Sequence, residues 1–376
     1  MSKVRVLIPG SFDPPTKAHE AIWIEAAKTF DVVIAIGRNA AKSNPLFHMA
    51  ARRTLIERIL YDNAIAATVV EYDDLIDQCA KREGAEIIVR GVRGSEDLAG
   101  ETAFKDYMER RKGPTVYYLL APAALRACSS TFVRGLLGFE GADEELEFLL
   151  PKSVFRCLKD GANDLRADFL RLWKQMRAEG DGAAVFEDLL LRYGEERRAY
   201  HTMAHVKYNL ARLDELYRAM PENGTAMHDW QAVRFAMYFH DAVMFCPHEE
   251  NKSAALATQT ALAAKLPASQ VVRIGQIIEA ATVNAPWKHV DADLHLDADL
   301  SILGADEEVF DKYEADVREE WKKHSNADYR AGRLAVLETI MKRPHIYTTP
   351  EARSMWEVAA WSNLRRSMAK LGGKES

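Results

Sequence analysis

Short runs of branched apolar residues, each bounded by polar or turn residues, recur through the first half of the chain: Val4–Ile8, Val32–Ile36, Glu86–Val89 and Val116–Leu120. Between them lie segments with helical spacing, such as Ala51–Tyr61. Strands that read as continuous apolar runs are buried on both faces, and alternation with helices predicts an α/β domain with a parallel sheet. Beyond Leu165 the pattern changes. Phe169, Leu172, Trp173 and Met176 fall at helical spacing and branched runs become rare, so the second half is expected to be all-α. Lys159–Asp164 interrupts the periodicity with turn residues, placing the boundary between domains 1–161 and 162–376.

Composition narrows the classes. The chain is 48% hydrophobic, as expected for a globular protein with two cores, and its formal charge of -6 argues against a broad nucleic-acid surface. Cys79, Cys128, Cys157 and Cys246 are scattered without a metal or redox spacing, which suits a reducing compartment. No apolar stretch approaches the roughly 18 residues of a membrane helix, and the first residues enter a strand directly. A cytoplasmic protein is expected.

The first candidate chemistry follows the first strand, in Gly10-Ser11-Phe12-Asp13-Pro14-Pro15-Thr16-Lys17-Ala18-His19. Gly10 is expected to let a ligand approach the backbone, Thr16 to cap a helix, and His19 to lie in its first turn, where free N–H groups and the helix dipole favour phosphate. Ligands of such sheets sit beyond the carboxyl ends of the strands. There the opening loop would meet Lys42, the Arg90-Gly91-Val92-Arg93 segment after the third expected strand, and Ser129-Ser130-Thr131 with Arg134. This set suits a nucleoside triphosphate and a second anionic substrate, hence nucleotidyl transfer without a protein nucleophile. Neither GxxxxGK[ST] nor GxGxxG is present.

On these residues, with Phe12, Asp97, Glu101 and Leu149-Leu150-Pro151, the segment Val4–Asp160 resembles bacterial phosphopantetheine adenylyltransferase, of the nucleotidyltransferase superfamily with a TxGH or HxGH signature. The resemblance implies a Rossmann-like fold and transfer of AMP from ATP, with Mg2+, to 4'-phosphopantetheine. His19 and Ser11 would hold the reacting phosphates, Lys42 and Arg90 the acceptor phosphate, and Arg93, Glu101 and Ser129–Thr131 the ATP. The resembled enzymes are commonly homo-oligomers. Departures are Ala18 for the signature glycine, Ala99 for a carboxylate and Glu109 for an Asn. They bear on the acceptor more than on the nucleotide, and a different phosphorylated acceptor is the alternative.

Nine of the 11 histidines follow the boundary, which suggests a metal site. His201 and His205 share a helix face; His240-Asp241 follows the apolar Phe235–Phe239; Asp297 and Asp299 sit in an apolar helix, where carboxylates need partners. Mixed ligands of this kind suit Mn2+, Fe2+, Zn2+ or Mg2+. Tyr200 to about Leu337 resembles the HD-domain metal-dependent phosphohydrolases, and Tyr200-His201 with His205 resembles the cyclic-nucleotide phosphodiesterases, with Thr202 for their Asn. The resemblance implies His205, His240, Asp241 and Asp299 as ligands, Asp241 bridging any second ion, His201 as proton donor, and Glu250 or Asp297 as supporting groups. The substrate would be a small phosphate ester. The other histidines, His295 included, are expected to be packed or exposed, and the basic tail from Leu364 to Lys374 to be a solvated, fraying end. The chain thus reads as a bifunctional enzyme. In the alternative reading its helical half is a metal-bound nucleotide-sensing module.

Overall fold

In a computed structural model, residues 3–37, 45–139, 141–159, 162–220, 229–280 and 289–372 are described. The chain forms two compact units, Met1–Lys159 and Asp160–Ser376.

The first unit alternates five strands, β1 (Arg5–Gly10), β2 (Asp31–Gly37), β3 (Ala67–Tyr72), β4 (Ile87–Val92) and β5 (Thr115–Leu120), with helices. These are α1 (Lys17–Thr29), α2 (Met49–Asp62), α3 (Ile76–Arg82), α4 (Ser95–Arg110), α5 (Ser130–Leu136), α6 (Asp143–Leu149) and α7 (Lys152–Leu158). All pairings are parallel, in the order β3-β2-β1-β4-β5. The order reverses direction between β1 and β4, and such a switch point opens a crevice at the carboxyl ends of the strands. Leu7, Val33, Ala35 and Ile88 fill one face of the sheet with Cys79 and Met108.

Two strand expectations change. β3 was not expected: Thr68 and Glu71 interrupt its apolar run, because it pairs on one side only and buries little besides Val69. Arg90, Gly91 and Val92 do not follow their strand. They belong to β4, whose ladder with β5 continues through Val92 and Leu120.

The second unit is helical: α8 (Ala162–Gln175), α9 (Gly182–Tyr193), α10 (Met203–Ala219), α11 (Trp230–Phe239), α12 (Glu249–Ala263), α13 (Ala268–Glu279), α14 (Val290–Leu300), α15 (Glu307–Glu320), α16 (Asn326–Met341) and α17 (Pro350–Lys370). The start of α8 at Ala162 falls inside the segment expected to be a turn. At the centre lies α11, buried from Phe235 through Phe239 and packed against α8, α10, α12, α13 and α14. Phe169, Phe186, Phe235 and Tyr238 form one aromatic cluster around it. The expected fraying end is instead the last part of α17. Leu364 and Met368 are buried, and Arg366 and Lys370 pair with Asp311, so apolar burial and charge hold it in place. Among the described residues no helix is long and apolar enough to cross a membrane.

Candidate functional sites

At the switch point of the first unit is a cavity of about 490 Å³ lined by His19, Arg90, Arg93, Asp97, Glu101, Cys128 and Ser129–Thr131, among others. His19 is the third residue of α1, and its Nδ1 lies 3.0 Å from both the backbone N–H and the hydroxyl of Thr16. Accepting from the Thr16 N–H puts the proton of a neutral ring on Nε2. The ring meets Phe12 edge-on, with centroids 5.0 Å apart, and stacks at 6.2 Å on the buried Trp23. Arg90 reaches from β4 to the carboxylate of Glu101 through two bonds of 2.7 and 2.5 Å, and Arg93 binds Asp97 at 2.7 and 2.9 Å. Both carboxylates come from α4, and the Arg93 contact holds Asp97 below the usual carboxylate range.

Further residues, some of them outside the lining, hold the walls of the cavity in place. Gly10 has a steric role: a Cβ there would meet the Phe12 ring at 2.6 Å, so the glycine makes room for Phe12. Arg52 donates to the Ser11 carbonyl at 2.6 Å. The buried Asp13, not singled out from the sequence, accepts from the N–H groups of Leu46 and Phe47 and from Arg134 at 2.7 Å. It thereby ties the opening loop to α5. Ser129 caps α5 by accepting from the Phe132 N–H at 3.0 Å, and Ser130 donates to the Pro14 carbonyl at 2.9 Å. Lys42 lies outside the described residues.

In the second unit, ligand atoms of His205, His240, Asp241 and Asp299 all lie within 4.8 Å of one another. Three segments supply them: α10, the two residues that follow α11, and α14. His240 Nδ1 donates to the Met237 carbonyl at 2.9 Å, which turns the Nε2 lone pair inward. His205 Nε2 lies 3.0 Å from His240 Nε2, and accepts from Asn209 Nδ2 at the same distance. Asp241 Oδ2 is 3.2 and 3.0 Å from the two imidazoles, and Asp299 Oδ1 is 3.1 and 3.3 Å away. An Nε2 from each imidazole and an oxygen from each carboxylate converge on one point, a donor set that fits a divalent metal. Burial opposes charge on His240, yet Asp241 and Asp299 outweigh it and raise its pKa well above the usual value.

His201 sits beside this set, with Nε2 4.0 Å from Asp241. Its Nδ1 is 2.7 Å from Glu320 Oε2, while Glu320 Oε1 accepts from the backbone N–H groups of Ala199, Tyr200 and His201. Burial pushes the Glu320 carboxyl up, but His201 and these donors hold it below its ordinary value. Neither Glu320 nor Asn209 was singled out from the sequence. Asn209 was legible as the residue four after His205; nothing near Glu320 marked it. Asp297 turns away from the centre and accepts from Thr348 and Thr349, whose residues lead into α17. Glu250 is in the first turn of α12 and its carboxylate is not one of the converging ligand atoms. His295 is buried, edge-on to His240 at 5.4 Å; burial and the charge of His240 push it down to about 3.

The cytidylyltransferase-like family matches residues 7–135, within the first unit. The phosphopantetheine adenylyltransferase of Rhizobium rhizogenes is 33% identical over 163 residues, 42% of this chain and 95% of that protein. That of Flavobacterium johnsoniae is 34% identical over 151 residues, 40% and 96% respectively, and that of Natranaerobius thermophilus 28% over 163 residues, 43% and 98%. Together, a parallel sheet with a phosphate-suited cavity at its switch point and this match define a nucleotidyltransferase of the cytidylyltransferase-like class. Through its first unit the chain belongs to the family of the phosphopantetheine adenylyltransferases.

Proposed function

We propose that the first unit transfers AMP from ATP, with Mg2+, to 4'-phosphopantetheine, and that the second hydrolyses a small phosphate ester at a divalent metal. The observation that carries the first reading is the convergence of His19, Arg90, Arg93 and Ser129–Thr131 on one cavity, in a unit whose relatives are phosphopantetheine adenylyltransferases over nearly their whole length. A phosphate oxygen of the acceptor attacks the α-phosphorus and pyrophosphate departs; no bond to the protein forms. His19, with its proton on Nε2, donates to the charge that develops on the transferring group, and its anchoring by Thr16 means that little reorganisation is needed. Arg90 and Arg93 hold acceptor and nucleotide phosphates by exchanging their carboxylate partners for them. The test is pyrophosphate release from ATP across phosphorylated acceptors. An inert 4'-phosphopantetheine overturns this acceptor.

The second reading is supported by the ligand set of His205, His240, Asp241 and Asp299. A divalent metal bound there supplies a hydroxide near neutral pH. His201, with Nδ1 bound to Glu320, carries a proton on Nε2 to the leaving oxygen, and the three backbone donors on Glu320 fix the orientation of that pair. Phosphatase turnover that disappears in Asp241→Asn while adenylyl transfer persists is the expected result. No turnover with any phosphate ester at full metal loading would favour a nucleotide-sensing module instead.

A further inference from the structure

Two neighbouring arginines beside the metal ligands are held in opposite ways. The Arg198 side chain is wholly buried and donates to the carbonyls of His201 at 3.1 Å, Asp241 at 2.8 Å and Ala242 at 3.3 Å. It joins the segment before α10 to the loop that leaves Asp241. Arg197 has no such bonds. Among the described residues of the second unit it is the one half-buried arginine with neither a carboxylate nor a carbonyl partner, and its Nε is buried without a hydrogen bond. Its guanidinium instead lies 4.0 Å over the ring of Phe245.

That platform is fixed to the same site. The Phe245 N–H donates to Glu249 at 2.9 Å, and the Phe245 ring meets Trp321 edge-on at 6.2 Å. Trp321 directly follows Glu320, which grips His201. Arg197 is therefore stacked on the loop that begins at Asp241, against a ring that in turn meets the helix end that orients His201. A guanidinium held on an aromatic face keeps its edge N–H groups available, and ordering it in advance lowers the entropy cost of a later bond.

The charges call for such a group. Asp241 and Asp299 balance a divalent metal, so a dianionic phosphate monoester brings two further negative charges. The Nδ1 of His201 faces the Glu320 carboxylate, and the Arg198 donors are occupied by carbonyls and Glu195. We infer that Arg197 is the substrate-anchoring cation of this site, its guanidinium binding a phosphate oxygen, and that the site is built for phosphate monoesters. This rests on the hydrolytic reading of the metal centre.

The test uses the full chain loaded with Mn2+, p-nitrophenyl phosphate as monoester and bis(p-nitrophenyl) phosphate as diester. Arg197→Met is expected to raise the monoester KM about tenfold, the loss of one charge-assisted bond, with kcat changed less and the diester KM within about twofold. Arg197→Lys restores most of the monoester KM. Calorimetry with inorganic phosphate, blanked against Asp241→Asn, is expected to show binding weakened about tenfold in Arg197→Met with unchanged Mn2+ affinity. Wild-type phosphate binding and KM in Arg197→Met would overturn the inference and leave the hydrolase standing. An equal rise in both KM values would overturn the monoester class. A wild-type protein that neither hydrolyses these esters nor binds phosphate above the blank would overturn both readings.

Discussion

Glu320 acts on the proposed chemistry through His201 alone. With the glutamate in place, Nδ1 donates to a carboxylate, which fixes the ring's tautomer and orientation; a glutamine that presents its amide N–H there would not. Glu320→Gln is expected to lower the hydrolytic kcat about tenfold and to leave metal content unchanged. Equal loss of bound metal would assign Glu320 to the ligand set instead. Gly10 is a steric counterpart in the first unit. A methyl group there collides with Phe12, which supports His19, so Gly10→Ala should cost about 1–3 kcal/mol of stability, read from denaturant melts, and slow adenylyl transfer. At this scale the sequence shows chemistry where a motif is local. His205, His240, Asp241 and Asp299 could be read from their neighbours, whereas Glu320 reaches His201 across more than a hundred residues of unmarked chain.

Elements were legible to the extent that their apolar pattern is unbroken. β1 and β2 are buried almost throughout and read as strands directly; β3 presents alternating exposure at the sheet edge and does not. The same rule explains α17, whose charged residues suggested a loose end although its apolar positions are packed and its cations paired. Asp297 shows how elements are joined. From α14 it receives two backbone N–H groups and a hydroxyl at the start of α17, a clamp that two carboxylates in one apolar helix could not distinguish from a ligand role. Asp297→Ala strands those donors, and about 3 kcal/mol of stability should be lost with metal content unchanged at low temperature. Loss of the metal in the folded protein would contradict this.

At the scale of the whole molecule, the two units carry separate cores and separate sites, so their responses can be told apart. Mn2+ at 100 times its dissociation constant should raise the stability of the second unit by about 2.7 kcal/mol and leave that of the first unchanged, visible as one of two thermal transitions moving. Acid should act on the second unit through Asp168. Burial raises its pKa, but Arg234, Tyr238 and Arg171 outweigh this and hold it below 3.8. A carboxyl depressed on folding contributes stability above its unfolded value and loses it as pH falls through the folded one. The second unit should therefore lose stability below about pH 4, and Asp168→Asn should flatten that part of an acid titration followed by circular dichroism.

The doubly bonded Arg90 has a consequence for what the first cavity admits. Glu101 already offers this arginine everything that a visiting carboxylate could, in a better place and tethered to the same chain. A lone organic acid therefore gains nothing by entering. On the proposed reading, a guest of higher charge is needed to displace the resident, which would make the cavity a sieve for phosphates over weaker anions.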